Sequence, residues 1–344
     1  MMNEELKKQL RNRGICVVIP TYNNDITIKT VVEKSLLYCA DVIVVTDGCT
    51  DRTTDILDAI DGITIVSYPQ NRGKGYALKM GFRKALEMGF SYAITLDGDG
   101  QHYPEDIPLF LKANQEYPQS LIIGSRQLEG VDRSKGSSFA NKFSNFWFYV
   151  QTGRALPDTQ TGYRLYPLHR LCGLSLLTSR YEAELELLVF ASWHGVKLIP
   201  IPVQVYYPPR NERVSHFRPG KDFARISVLN TVLCFLAVVY GLPLRLWRTL
   251  MTFLRTAYSL LFFLFFTLVV FTPFVWIYTK VGKMTERRRY RLHQLIYHAS
   301  RFVMIHHGIP GTKYEYKVAE GIDFNKPRII ICNHQSHLDL MCQL

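Results

Sequence analysis

The first 225 residues of this 344-residue chain alternate short apolar runs with segments of helical pattern. Continuous apolar runs at 15–19 and 42–45 are typical of strands buried on both faces, which occur in parallel sheets. Amphipathic or helix-compatible segments follow them at 26–39 and 52–60. Parallel strands need a crossover connection, so this alternation predicts an α/β domain with a doubly wound, mostly parallel sheet.

Two aspartates follow the predicted strand at 92–96, where ligands bind in such sheets. Alternate residues of a strand point the same way, so Asp97 and Asp99 should present both carboxylates to one side. Gly98 lets the backbone turn tightly between them. This pair suits Mg²⁺ or Mn²⁺, particularly if a diphosphate supplies further oxygens. A polar turn with solvated aspartates is the alternative for an isolated Asp-Gly-Asp.

Other polar residues are expected at the same edge of the sheet. Thr21 and Asn24 follow the first strand, and Asp47 ends the second. The Gly73-Lys74-Gly75 segment could bring Lys74 and backbone donors to a diphosphate, with a solvated loop as the alternative. The P-loop pattern is absent, and no G-x-G-x-x-G follows the first strand, so ATPase and dinucleotide-binding functions lack their fingerprints.

The positive charge of the chain is concentrated beside its most apolar segment. The formal net charge is +12, yet residues 1–204 carry 22 basic and 22 acidic residues. Residues 205–255 carry 8 basic and 2 acidic residues, and residues 280–344 carry 11 and 5. Residues 256–278 are uncharged, and roughly 20 apolar residues suffice to cross a bilayer. This pattern indicates anionic lipid headgroups as a partner, and the chain has no nucleic-acid-binding motif.

We therefore expect three parts. These are a globular domain at 1–225, a membrane hairpin or interfacial helices at 226–279, and a basic segment that begins another domain at 280–344. The amino terminus lacks the apolar core of a signal peptide, so the globular domain is expected on the cytoplasmic face of a membrane. The basic residues of 280–291 agree with that orientation under the positive-inside rule. The scattered cysteines indicate reduced thiols.

Five short motifs, in order, resemble the family 2 inverting glycosyltransferases with the GT-A fold, and in particular the dolichyl- and polyprenyl-phosphate sugar synthases. The resemblance covers roughly residues 14–225 and rests on Val18-Ile19-Pro20-Thr21-Tyr22-Asn23, Asp47-Gly48-Cys49-Thr50-Asp51, Asn71-Arg72-Gly73-Lys74-Gly75, Leu96-Asp97-Gly98-Asp99-Gly100-Gln101 and Gly124-Ser125-Arg126.

The resemblance implies residue roles at two sites. Pro20, Tyr22 and Asp47 would hold the nucleoside of a UDP- or GDP-sugar. Asp97, Asp99 and Gln101 would surround the metal ion and the diphosphate. The family commonly has two aspartates before the glycine of its second motif, and Thr46 stands at the first of them. Recognition of uracil or guanine is therefore left open.

The acceptor decides what further chemistry is needed. A polyprenyl phosphate is already an anionic nucleophile and needs no strong base. The resemblance then implies that Arg126, Arg213, Arg218 and Lys221 hold phosphates. Transfer to a glycerolipid hydroxyl instead requires a carboxylate to take the proton. A non-catalytic membrane scaffold with the same fold is a third hypothesis.

Three carboxylates are candidates for that proton acceptor, and a solvated helix face is the alternative for the glutamates. Asp158, in a polar turn, is the first candidate for the base. Glu182 and Glu184, on a predicted helix over 181–193, come next. Glu186 on the same helix is expected to lie on a solvated face.

The end of the chain has a separate resemblance. His334-Gln335-Ser336-His337-Leu338-Asp339 resembles the H-x₄-D motif of glycerolipid acyltransferases. It implies that His334 deprotonates an acceptor hydroxyl and that Asp339 orients His334. The chain ends five residues later, so we expect a piece of a longer protein that has no acyltransferase activity by itself.

Overall fold

The computed structural model describes residues 2–126, 135–174, 177–206 and 219–307, and it confirms the predicted α/β fold. The strands are β1 Ile15–Thr21, β2 Val42–Asp47, β3 Ile63–Tyr68, β4 Tyr92–Thr95, β5 Leu121–Arg126, β6 Arg164–Pro167 and β7 Leu198–Val203. The helices of the same region are α1 Met2–Asn12, α2 Ile28–Tyr38, α3 Thr53–Asp58, α4 Lys74–Glu87, α5 Ile107–Glu116, α6 Lys135–Thr152, α7 Leu168–Leu171 and α8 Glu182–Trp193, with a 3₁₀ turn at Pro104–Asp106.

The seven strands form one sheet in the order β3-β2-β1-β4-β6-β5-β7. Strand β6 is antiparallel to β4 and β5, and the other neighbouring strands are parallel. Strand β7 is at one edge of the sheet, where the prolines in its sequence are tolerated. The register pairs Thr21 with Thr46 and Val18 with Thr95. The carboxyl ends of β1, β2 and β4 therefore meet at one edge, and the polar residues that follow them lie there.

Alternate side chains of the strands fill two apolar layers, one on each face of the sheet. Cys16 and Val18 of β1 belong to the layer that α4, α6 and α8 cover. Ile15, Val17 and Ile19 belong to the layer that α2 and α5 cover. Full burial of one such aliphatic side chain contributes roughly 1.5–3 kcal/mol. The two-sided burial explains why the strand sequences are continuously apolar.

The carboxyl-terminal part of the described chain is helical. Its helices are α9 Pro219–Leu236, α10 Leu242–Phe265, α11 Thr272–Lys280 and α12 Glu286–His307, with π turns at Ala237–Gly241 and Phe266–Phe271. Met1–Arg245 forms one compact unit and Leu246–Leu344 another. In the first unit, Leu229 and Leu233 of α9 pack into the layer that contains α8.

One helix among the described residues is long and apolar enough to cross a membrane. It runs over Phe223–Lys280, through α9, α10, α11 and the π turns between them. Its most apolar stretch is not buried inside the protein. By length and composition it fits a span, which needs about 20 residues. The hairpin over 226–279 and the domain boundaries at 225 and 280 stay predictions.

Candidate active site

The first polar group of the site joins the ends of β1 and β4. Asn24 donates a hydrogen bond from Nδ2 to Thr21 Oγ1 over 3.0 Å. Thr27 donates from Oγ1 to the carbonyl oxygen of Gly98 over 2.7 Å. The structure therefore brings together three predicted site residues, Thr21, Asn24 and Gly98.

The Asp97 carboxylate is paired with a lysine. Lys74 Nζ lies 2.7 Å from Asp97 Oδ1 and 2.8 Å from Glu184 Oε2. Burial by itself disfavours the charged lysine, but the Coulomb attraction of Asp97 and then Glu184 raises the pKa of Lys74. Burial would likewise raise the pKa of Asp97, and the charge of Lys74 lowers it below the ordinary value. Lys74, predicted to contact a diphosphate, thus bridges two carboxylates.

Asp99 differs from Asp97 in its partners. Its Oδ1 accepts a 3.0 Å hydrogen bond from the backbone N–H of Gln101, and it forms no ion pair among the described residues. Burial, and then the charge of Asp97, raises the pKa of Asp99 to about 6. The carbonyl oxygen of Gln101 accepts a 2.8 Å hydrogen bond from the N–H of Tyr206. Of the two aspartates, Asp99 is therefore the one whose negative charge is less compensated by the protein.

His102 lies in the same environment, and the sequence analysis gave it no role. Its side chain is buried, and its ring centroid is 5.2 Å from that of Tyr163. Its Nδ1 has no hydrogen-bond partner among the described residues. Burial lowers the pKa of His102 to about 4, so the ring is neutral near pH 7. Its position after the two aspartates was the available signal, but histidine in a polar turn is not specific for a site.

Asp97 and Asp99 fit a divalent cation only with ligands from elsewhere. Carboxylate oxygens are the ligands that Mg²⁺ and Mn²⁺ prefer. The part of the chain that the structure describes contains no group of three or more His, Cys, Asp or Glu side chains placed for a metal ion. Mg²⁺ commonly takes one or two carboxylates and completes its shell with water and substrate phosphates. The two aspartates fit a cation of that kind.

Asp47 shapes the loop that begins α4. Its two carboxylate oxygens accept hydrogen bonds from the backbone N–H groups of Arg72 and Gly73, over 2.7 and 2.8 Å. Pro20 is buried in β1, and Tyr22 directly follows that strand. The predicted nucleoside-binding roles of these three residues stay predictions.

Asp158 is enclosed and bound to Arg126. Arg126 Nε lies 2.6 Å from Asp158 Oδ2, and Arg126 Nη2 lies 3.0 Å from Oδ1. Asn141 of α6 and the N–H of Gln160 also donate to Oδ1. Burial would raise the pKa of Asp158, but the hydrogen bond and charge of Arg126 lower it below its ordinary value. The predicted base can therefore take a proton only by losing strong contacts with Arg126.

The acidic residues of α8 are all buried, so the expectation that Glu186 lies on a solvated face was wrong. Glu186 is 0% exposed and accepts hydrogen bonds from the N–H groups of Leu177 and Thr178 and from Thr178 Oγ1. Helix α8 is buried along most of its length, and loop donors replace water around this carboxylate.

Arg164 is a second buried site residue without a clear signal in the sequence. It begins β6, is fully buried, and donates to the carbonyl oxygens of Glu184 and Thr159, each over 2.9 Å. It connects the Asp158 turn with the helix that carries Glu184. A single arginine before an apolar pair gives no local signal of such burial.

Helix α6 presents apolar side chains to solvent on one face. Phe139, Phe146, Tyr149 and Val150 are about half exposed or more. The ring centroid of Phe143 lies 5.5 Å from that of Phe223 in α9, so this face adjoins the start of the long apolar helix. The opposite face of α6 carries Asn141, which holds Asp158. Among the aromatic residues of this helix, Phe148 is fully buried and packs in the core.

Several predicted residues fall elsewhere. Lys221 lies in α9. Arg213, Arg218, His334 and Asp339 lie outside the described residues, and the predicted acyltransferase motif with them. Their roles stay predictions.

Comparison with known proteins gives this site a family context. The family model described as glycosyl transferase family 2 matches residues 16–166. An uncharacterized protein of Methanocaldococcus jannaschii is 30% identical over 218 residues, which cover 59% of this chain and 88% of that protein. The UDP-N-acetylglucosamine–dolichyl-phosphate N-acetylglucosaminyltransferase of Methanococcus voltae is 28% identical over 221 residues, covering 58% and 88%.

A bacterial relative and a solved structure extend the comparison. The undecaprenyl-phosphate mannosyltransferase of Micrococcus luteus is 27% identical over 201 residues, covering 55% of this chain and 82% of that protein. Glucosyl-3-phosphoglycerate synthase from Mycobacterium tuberculosis, solved with Mn²⁺, UDP and phosphoglyceric acid, superposes with a TM-score of 0.52 at 19% identity. The superposition covers 68% of this chain and 81% of the synthase chain. At 19% identity, this likeness shows a shared fold.

Proposed function

The chain belongs to glycosyl transferase family 2, and from this membership we propose that it transfers a sugar from a nucleotide-sugar to a polyprenyl phosphate at a membrane. Two relatives are named for dolichyl-phosphate and undecaprenyl-phosphate acceptors. The donor is a UDP- or GDP-sugar, held at the edge of the sheet where β1, β2 and β4 end.

The observation that supports this acceptor is that two of the carboxylates predicted as bases are already paired with cations. Asp158 is bound through both oxygens to Arg126, and Glu184 is paired with Lys74. Transfer to a hydroxyl needs a carboxylate that can take its proton. A phosphate monoester is already anionic near neutral pH and attacks without that step. Carboxylates already engaged by cations therefore favour the phosphate acceptor.

The reaction follows from this arrangement. A phosphate oxygen of the acceptor attacks the anomeric carbon of the sugar, and the bond from that carbon to the diphosphate breaks with inversion. Asp97 and Asp99 would hold a divalent cation, which when bound supplies Lewis-acid stabilisation of the leaving diphosphate. Arg126, oriented by Asp158, would place guanidinium donors near the same edge.

The surface of α6 supports a lipid acceptor. Its exposed Phe139, Phe146 and Tyr149 lie on the face whose Phe143 contacts Phe223, the start of the long apolar helix. Aromatic side chains are enriched at membrane interfaces. We propose that this face touches the lipid surface and that the globular unit lies on the cytoplasmic side, as the basic residues of 280–291 favour.

The test is transfer from a panel of labelled UDP- and GDP-sugars to polyprenyl phosphate in detergent. We expect one donor to give a product that mild acid hydrolyses. Asp99→Ala should abolish transfer, whereas Asp58→Ala, which removes an exposed carboxylate, should not. Full activity of Asp99→Ala with EDTA present would contradict the proposed donor site. Transfer to diacylglycerol in place of the lipid phosphate would contradict the acceptor.

A further inference from the structure

Lys74 is held between two carboxylates by three different elements of the fold. It is the first residue of α4, Asp97 follows β4, and Glu184 lies in the first turn of α8. The Nζ atom is within 2.8 Å of an oxygen of each carboxylate, and the lysine side chain is 15% exposed. The positive charge of Lys74 is therefore shared by Asp97 and Glu184.

Close backbone packing keeps this lysine in place. A Cβ atom at Gly75 would lie 2.3 Å from the Cβ of Ala183, so the start of α4 touches the start of α8. A Cβ atom at Gly162 would lie 2.7 Å from both Lys74 Nζ and Asp97 Oδ2. Glycine at these two positions permits the contact between Lys74 and its carboxylates, and any larger side chain would displace it.

The pairing lowers the negative charge that the site offers to a cation. Asp97 is already matched by Lys74, and Asp99 is the second carboxylate of the pair. A divalent cation arriving alone would compete with the ammonium group of Lys74 for Asp97, and it would find only Asp99 without an ion pair among the described residues. A nucleoside diphosphate brings additional negative oxygens, which both offset the ammonium and complete the ligand shell.

We propose that Lys74 makes cation binding at Asp97 and Asp99 depend on the diphosphate of the nucleotide, so that cation and donor bind together. The inference rests on the proposed function, because it takes the donor to be a nucleotide-sugar. Linkage is reciprocal, so the cation increases the affinity for the diphosphate by the same factor as the diphosphate increases that for the cation. Lys74 is a positioning residue in this scheme.

Glu184 weakens the competition between Lys74 and the cation, because its carboxylate partly neutralises the lysine. In Glu184→Gln, the lysine pairs with Asp97 alone, and the site loses one negative charge. We expect weaker cation binding in the presence of UDP than in the wild type. In Lys74→Met we expect tighter cation binding, because Asp97 is released and the competing ammonium group is removed.

The experiment measures Mn²⁺ binding to the full chain in detergent by the electron paramagnetic resonance signal of free Mn²⁺, with and without UDP. The reference is the signal of the same Mn²⁺ and UDP without protein, because UDP itself chelates Mn²⁺. In the wild type we expect UDP to tighten Mn²⁺ binding by about tenfold or more, within the usual range of coupling between two ligands. Lys74→Met should bind Mn²⁺ more tightly without UDP and show a smaller effect of UDP. Its affinity for UDP in EDTA should fall. Lys79→Met, an exposed lysine of the same helix, should match the wild type.

The outcomes separate this inference from the proposed function. Equal Mn²⁺ affinity of the wild type with and without UDP would overturn the inference and leave the donor site standing. Absence of Mn²⁺ uptake with either UDP or GDP would overturn the donor site itself. Melting curves establish whether Lys74→Met is folded. If it is not, Glu184→Gln decides, because unchanged or tighter Mn²⁺ binding with UDP in that variant would overturn the inference.

Discussion

Replacing Asp158 with asparagine is expected to destabilise the globular unit strongly. Asp158 is 1% exposed and its partner Arg126 is 15% exposed, with a shortest contact of 2.6 Å. Removing one partner of a buried ion pair leaves the other charge in a poorly solvated position, which costs about 3–5 kcal/mol. Asparagine keeps the size of the side chain, but it places an amide group against the donors of Arg126, Asn141 and Gln160.

The measurement is thermal unfolding of the full chain in detergent, followed by circular dichroism. For a unit of about 200 residues each kcal/mol shifts the melting temperature by about 2–4 °C, so we expect a fall of roughly 6–20 °C. Glu87→Gln is the matched control, because it breaks the exposed pair with Arg83, and such pairs contribute about 0–1 kcal/mol. Equal melting temperatures of Asp158→Asn and Glu87→Gln would refute the reasoning.

A double variant isolates the pair from its surroundings. Arg126→Gln with Asp158→Asn removes both charges, so it should lose less stability than the two single changes summed. The pH dependence gives an independent check. Burial would raise the pKa of Asp158, yet Arg126 lowers it, so the unfolded chain binds the proton more readily. The stabilisation is then complete above the ordinary aspartate pKa of about 4, and it is lost as pH falls through the lower folded value.

Three further predictions concern the buried Glu186 of α8, the pH dependence of cation binding at the donor site, and the exposed face of α6. Glu186→Ala should lower the melting temperature, because the buried N–H groups of Leu177 and Thr178 lose their acceptor, at about 1–3 kcal/mol; unchanged melting would contradict this. Binding of Mn²⁺ with UDP, measured by calorimetry, should weaken as pH falls through about 6, where Asp99 takes a proton; equal affinity at pH 5 and 7.5 would contradict it. A polarity-sensitive fluorophore at Phe146→Cys should shift to the blue on reconstitution into liposomes, whereas one at Leu109→Cys, on the other face of the sheet, should not.

The sheet was predictable because its signal is local. Strands buried on both faces must be apolar at every position, and the runs at 15–19 and 42–45 carry that pattern without reference to the rest of the chain. The shared edge of β1, β2 and β4 then follows from parallel pairing. The placement of Thr21, Asn24 and Gly98 together required no information beyond this topology.

The pairing of charges was not predictable in the same way. Lys74 meets Glu184 across 110 positions of sequence, and Arg126 meets Asp158 across 32. From residue type alone, each of these side chains would be predicted to act on a substrate. A lysine in a glycine-rich loop can bind phosphate, and an aspartate in a turn can take a proton. The fold instead pairs them with one another. The packing of α4 on α8 brings Lys74 to Glu184, and the turn before β6 brings Asp158 to the end of β5.

The case of Glu186 shows why an acidic residue on a helix is a weak indicator of solvent. Glu182, Glu184 and Glu186 are two positions apart, and such spacing places successive side chains on different faces of a helix, not on one. At least one of them therefore had to point toward neighbouring elements. Helix α8 is buried along most of its length, so each carboxylate required a partner from within the protein. Glu184 found Lys74, and Glu186 found the N–H groups of the loop before α8. Of the two predicted metal-binding aspartates, Asp97 has Lys74 and Asp99 has no ion pair among the described residues, so Asp99 is the one whose charge a donor-bound cation would match.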